Sequence, residues 1–212
     1  MTTPQALTGQ HSTVALPFDP ARIDGLSARL LTSHHENNYG GAVRNLNRVE
    51  LELARSLEQP PFVVAALREK ELQFRNSKLL HELYFENISP DSTRSASIDR
   101  ALSEAYGSLG VWEQHLRQTA LGLAGGSGWA LLVYELDSGA LRTVASTNHT
   151  QAPASAVPLL VLDMYEHSFH LDYGAAAARY VDAFVARVNW ERVEQRWTRA
   201  IAAREALRGA LR

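Results

Sequence analysis

The sequence predicts an α+β fold: an N-terminal hairpin of long helices, then an α/β domain with a three-stranded antiparallel sheet flanked by helices. Three observations predict it. Apolar residues recur at helical spacing through the first part of the chain. Strand-forming runs separated by turn signals follow near the middle. Helical periodicity then returns and continues towards the C-terminus, so the sheet sits between helical blocks.

The elements follow in order. Residues 1–20 mix Thr, Pro, Gln and Ser and read as a flexible arm. From Ile23 a helical face begins with Ile23, Leu26, Leu30 and Leu31, and helix is expected to run through His34 to about Leu57. Gly40-Gly41 interrupts it at roughly 1 kcal/mol per Gly relative to Ala, which a kink or a close neighbour would explain. Gln59-Pro60-Pro61 is a break. A second long helix is expected from about Lys70 to Phe85, on Leu72, Leu79, Leu80, Leu83 and Tyr84. Asn87–Arg94 reads as a linker. The chain therefore divides into the arm 1–20, a helical hairpin 21–92 and an α/β domain 93–212. In the second part, Ile98–Tyr106 and Val111–Leu121 read as helices. Trp129–Leu136 and Leu141–Ser146, joined by Asp137-Ser138-Gly139, read as a β-hairpin. Val157–Leu162 reads as a third, buried strand, and helix resumes from Met164 with strong periodicity over Tyr180–Arg187.

Composition narrows the function. At 212 residues and 45% hydrophobic, the chain can bury a sizeable core. Its net charge of -2, with no block of like charges, argues against nucleic acid or an acidic membrane as partner. A locally basic funnel for a small anion is compatible with it. With no cysteine, a metal ion would have to be held by His, Asp, Glu or water. Met1–Gln10 lacks a basic start followed by an apolar run, and the longest apolar stretches are too short to span a bilayer, so a cytoplasmic protein is expected.

Eight histidines are present. Asp163-Met164-Tyr165-Glu166-His167 places a carboxylate just past a buried strand and an imidazole four residues on. The pair suits iron, manganese or zinc; equally, Asp163 could cap the following helix with His167 packed beneath it. His81 sits among leucines, where its ring nitrogens need a metal, a carbonyl or a buried water. Only one of His34 and His35 can face the same direction, since helical neighbours lie about 100° apart.

These residues resemble the iron/manganese superoxide dismutases. Gly126-Ser127-Gly128-Trp129 matches that family's GSGW strand entry. Pro158 to His167 resembles its P-L-L-x-x-D-x-W-E-H signature, with Tyr165 in place of Trp. His81 to Asn87 resembles its H-x-x-Y-W-x-N helix, with Phe85 in the Trp position. His34 keeps the family's spacing to Asn45-Leu46-Asn47, and Asn189-Trp190 matches a late NW pair. The resemblance implies His34, His81, Asp163 and His167 as ligands of one Fe or Mn ion per subunit, with superoxide as substrate. It implies His149 in the position that hydrogen-bonds solvent on the metal, where Ser77, the alternative position, is too short. It also implies a homodimer or tetramer in which Glu166 reaches the partner subunit's His167, with Trp129 beside the substrate funnel.

The match departs in two places. The family usually carries His four residues and Tyr eight residues after its first ligand; here these are Asn38 and Ala42. Tyr39 lies roughly 140° from His34 on a regular helix and does not substitute simply. Asn38 and His170 are expected to pair across the interface as an inverted His–Tyr pair. Loss of the Tyr leaves open an alternative: a dismutase-like metal-binding protein with weak or no dismutase activity.

Overall fold

The computed structural model describes residues 6–91 and 93–210. A 3₁₀ turn, Pro20–Arg22, precedes α1 (Ala28–Ser33), a π-helical segment (His34–Tyr39) and α2 (Gly40–Ala54). Helix α3 (Pro61–Glu86) returns antiparallel. Then come α4 (Ala96–Tyr106), α5 (Leu109–Gly122), β1 (Trp129–Glu135), β2 (Leu141–Ser146) and β3 (Ala156–Asp163). A 3₁₀ turn, Glu166–Ser168, leads to α6 (His170–Tyr173), α7 (Ala177–Val185) and α8 (Trp190–Ala210). The sheet order is β2-β1-β3, antiparallel throughout. This is the α+β architecture expected.

Several boundaries differ from expectation, each for a local reason. The first helix starts at Ala28, because Gly25 takes φ +85° and Ser27 caps the helix by accepting from the Leu30 N–H. Ile23 and Leu26 are buried but precede it. Helix α3 begins at Pro61, where proline's fixed φ and missing N–H suit the first turn. Its inward stripe is Ser77, Leu80, His81, Tyr84 and Phe85, while Leu72 and Leu79 are about half exposed at 46% and 49%. After β3 the chain forms three short helical pieces before α8 rather than one long helix.

The core is continuous across the two expected domains. Strand β1 is buried from Trp129 to Tyr134, between the outer strands and beneath α5. Gly128 opens it at φ +151°, where an added Cβ would stand 2.3 Å from the Ser146 carbonyl. Only glycine lets the two backbones approach so closely. Buried Asn87, at the end of α3, accepts from the Val161 N–H at 3.0 Å and donates to the Leu159 carbonyl at 3.2 Å. That amide sutures α3 to β3, and so sets His81 against Asp163.

The described part of the arm lies along the helical hairpin. The Asn47 side chain accepts from the His11 N–H and donates to the His11 carbonyl. Buried Glu50 accepts from the Gly9 N–H and meets the His11 ring and Arg75.

Candidate metal centre

Four side chains from three regions converge. His34 begins the π segment, His81 projects from α3, Asp163 ends β3 and His167 lies in the 3₁₀ turn that follows. One ligand atom from each lies within 4.8 Å of the other three. Asp163 Oδ2 is 3.2 Å from His34 Nε2, 3.2 Å from His167 Nε2 and 3.7 Å from His81 Nε2. His34, His81 and Asp163 are fully buried and His167 partly so.

This turn decides the last ligand's reach. Asp163 Oδ1 accepts from the Tyr165 N–H, and Ser168 Oγ donates to the Asp163 carbonyl, as does the Tyr180 hydroxyl at 2.7 Å. These bonds wind the backbone tightly enough to fold His167 back over Asp163. His167 therefore does not open a regular helix, as its spacing had suggested.

The electrostatics favour deprotonated ligands. Burial would push the Asp163 carboxyl up, but His167 and His34 outweigh it and hold it well below the usual carboxylate range. Burial, reinforced by His34, drives the His81 imidazole down to about 3. His34 is lowered chiefly by burial as well. His81 Nδ1 donates to the Ser77 carbonyl one turn earlier at 2.6 Å, which leaves its Nε2 as the free lone pair. Among the described residues, that Nε2 and His34 Nδ1 have no hydrogen-bond partner despite full burial, and His34 Nε2 faces only the Asp163 carboxylate at 3.2 Å. Orphaned buried nitrogens are costly unless something accepts their lone pairs. Three imidazoles around a carboxylate fit a single iron or manganese ion.

Aromatic rings wall the cluster. His34 packs on Tyr84 and Phe85, each at 5.0 Å between centroids, and His81 meets the edge of Trp129 at 5.2 Å. Tyr165 is stacked between His149 at 4.8 Å and His167 at 5.4 Å. His149 Nδ1 accepts from Trp129 Nε1 at 3.0 Å, which assigns the ring proton to Nε2 in the neutral imidazole. Burial lowers the His149 pKa, favouring that neutral form. Asn76 donates to the His149 carbonyl at 2.7 Å and so moors the loop to α3.

A funnel of about 240 Å³ leads from solvent to His81, His149 and His167. Asn38 and Ala42 line it, together with Gln73 and Phe74. Thus Asn38, Trp129 and His149 stand at the centre or its approach. Glu166 and His170 do not join the cluster; both are exposed beside it. Ser168, Tyr180 and Asn76 were missed by sequence reading, since their contributions arise only once distant segments meet.

The family profile described as "Iron/manganese superoxide dismutases, C-terminal domain" matches residues 94–196. Over 188 residues the chain is 40% identical to a "Superoxide dismutase [Fe]" of Cupriavidus metallidurans, covering 88% of this chain and 95% of that relative. The chain belongs to the iron/manganese superoxide dismutase family. Within this dismutase family, manganese relatives are also similar: "Superoxide dismutase [Mn] 2" of Haloferax volcanii is 35% identical over 192 residues, covering 88% of this chain and 94% of the relative. The mitochondrial "Superoxide dismutase [Mn]" of Glossina morsitans morsitans is 28% identical over 200 residues, covering 92% of each. Relatives named for either metal match this dismutase-family chain along nearly all of its length.

Proposed function

We propose that this chain is a superoxide dismutase that holds one iron or manganese ion through His34, His81, Asp163 and His167. The observation that carries the ligand assignment is the buried cluster itself, with His nitrogens lacking any other partner. When bound, the ion supplies a one-electron couple that lets one superoxide leave as dioxygen and another as hydrogen peroxide.

The chain's own residues do the rest. Asp163, held ionised, offsets positive charge at the centre, and the Ser77 carbonyl fixes the His81 ring. His149, with its proton kept on Nε2 by Trp129, hydrogen-bonds solvent at the foot of the funnel and passes protons towards the product. Asn38 and Gln73 give the approach neutral amides. Ala42 leaves without a hydroxyl the place where the family usually carries a Tyr.

We assign the assembly as a homodimer or tetramer. Exposed Glu166 would accept from the partner subunit's His167, and exposed His170 would pair with the partner subunit's Asn38. The hairpin 21–92 and the α/β domain 93–212 are taken as the two units that close around the ion. The cytoplasm is the proposed compartment. No described helix is long and apolar enough to cross a membrane.

The deciding experiment is a dismutation assay on protein loaded separately with iron and with manganese. One ion per subunit, with activity, is expected for the wild type, and both are expected to be lost in His81→Ala. Full occupancy without activity would favour the weak-dismutase alternative, which the hydroxyl-free lining at Ala42 makes specific.

A further inference from the structure

Tyr39 is the buried residue whose role the centre does not yet explain. It is 1% exposed and closes the π segment that His34 opens. Its ring lies 6.3 Å from the His81 ring. Yet it does not line the funnel; with Val14, Pro17, His35, Glu82 and Phe85 it lines a separate cavity of about 120 Å³.

Its hydroxyl is fully engaged there. It donates to Glu82 Oε1 at 2.6 Å and accepts from the Val14 N–H at 2.8 Å. Glu82, which follows His81 directly on α3, also receives Lys78 Nζ at 2.8 Å. His35 Nε2 donates to the Val14 carbonyl at 2.8 Å. His35 and Tyr39, on the side of the π segment away from the ligand cluster, thus grip both backbone groups of Val14. Val14's own side chain is 61% exposed, so the grip reads backbone rather than sequence.

The wide turn makes this possible. The Gly40 N–H reaches back to the His35 carbonyl, five residues earlier, so the segment spends more residues per turn than an α-helix. His34 can face Asp163 while His35 and Tyr39 face the arm and α3. Burial and the Glu82 carboxylate push the Tyr39 phenol above its ordinary range, so it stays a neutral donor.

We propose that Tyr39 is a positioning residue: its hydroxyl ties the His34 segment, the His81 helix and the arm at Val14 into one node that fixes the separation of two metal ligands. The inference rests on the ligand assignment above. It also makes the arm part of the metal site's support rather than a loose tail.

The test compares wild type, Tyr39→Phe and Val14→Pro, each loaded with manganese. Tyr39→Phe removes the hydroxyl. Val14→Pro removes the N–H that donates to it, and also fixes φ there, at a residue whose side chain is mostly exposed. The readouts are the visible ligand-field spectrum of the bound ion and the rate of its release to a chelator. Both variants are expected to shift the spectrum and to release metal roughly 10-fold faster, the lower end of what outer hydrogen-bond partners usually contribute. A merely structural role would lower the melting temperature of both variants and leave spectrum and release rate as in wild type; that result overturns the proposal. If Tyr39→Phe does not fold, Val14→Pro decides alone. If wild-type protein takes up no ion, the ligand assignment itself falls, and this inference with it.

Discussion

At the scale of single residues, the centre resists protons, and this has a measurable consequence. In the folded chain His81 titrates near 3, against 6.5 when unfolded, because burial and its histidine neighbours disfavour the cation. Below pH 6.5 the unfolded chain therefore binds a proton that the folded chain refuses. The sign follows: stability of metal-free protein is level with respect to His81 above that pH and falls as acid is added. The slope is about 1.4 kcal/mol per pH unit for each such histidine. Buried His34 adds to it in the same direction. Asp163, whose carboxyl is held low, contributes stability that persists above the ordinary carboxylate pKa and is lost only in stronger acid. Urea midpoints of metal-free protein should drop markedly between about pH 7 and about pH 5. His81→Gln should flatten that drop; an identical drop in the variant would refute the assignment. Asp163 and His167 could be read as a pair because their spacing is local and carries chemistry in its own right, whereas His34 and His81 entered the proposed ligand set through the family resemblance. The partners that hold them were not legible. Tyr180 and Ser168 are ordinary core-facing polar residues until the turn after β3 folds them onto the Asp163 carbonyl.

Among elements, the decisive junction is the end of α3 against β3. Asn87 supplies both a donor and an acceptor to the strand and receives Arg196 Nη1 at 3.0 Å. It occupies the place a neighbouring strand's backbone would take. Asn87→Ala would leave the buried Val161 N–H without its acceptor, while the Leu159 carbonyl would keep Arg196 Nη1 at 2.9 Å, a cost of about 1–3 kcal/mol. The denaturation midpoint should fall accordingly. Because β3 carries Asp163, metal affinity should fall with it; a stability loss with unchanged affinity would show that the suture does not register the site. Helix ends were the least legible feature. Pro60-Pro61 was read as a break, but Pro61 starts α3, because proline fits a first turn as well as it stops a last one. Strand β2, bounded by clear turn residues, was read at its observed limits.

For the whole molecule, net charge conceals the local field. The chain carries -2 overall, yet Arg44 has no carboxylate partner among the described residues. Its guanidinium lies over Gly40 and Gly41, 3.0 Å from where a Cβ on Gly40 would be, and Gly41 borders the funnel. At Gly40 an added Cβ would crowd this guanidinium, whereas Gly41 meets it only at ordinary contact distance, 3.8 Å. A cation at the mouth raises the local concentration of a small anion, and salt screens it within about 10 Å. Arg44→Glu should therefore lower kcat/KM several-fold at low ionic strength, weaken its decline with added salt, and leave kcat near wild type. An unchanged salt dependence would remove Arg44 from the approach. The overall architecture was legible because helix and strand periodicities alternate along the chain in blocks. The continuity of the core was not, since no periodicity records that β1, central in the sheet, packs into the same interior as α3.

The wide turn at His34–Tyr39 can also be regarded as a frozen insertion: one surplus residue, looped out at the exposed Glu36–Asn37 stretch, in a helix that would otherwise run regularly. Excising Glu36 would let the segment relax into ordinary winding without displacing α2. Such a deletion shortens the step between His35 and Tyr39 that holds Val14, so turnover should decline even if the melting temperature is unchanged. A simultaneous fall in both would mean the surplus had been a scaffold all along, not a concession of robustness to chemistry.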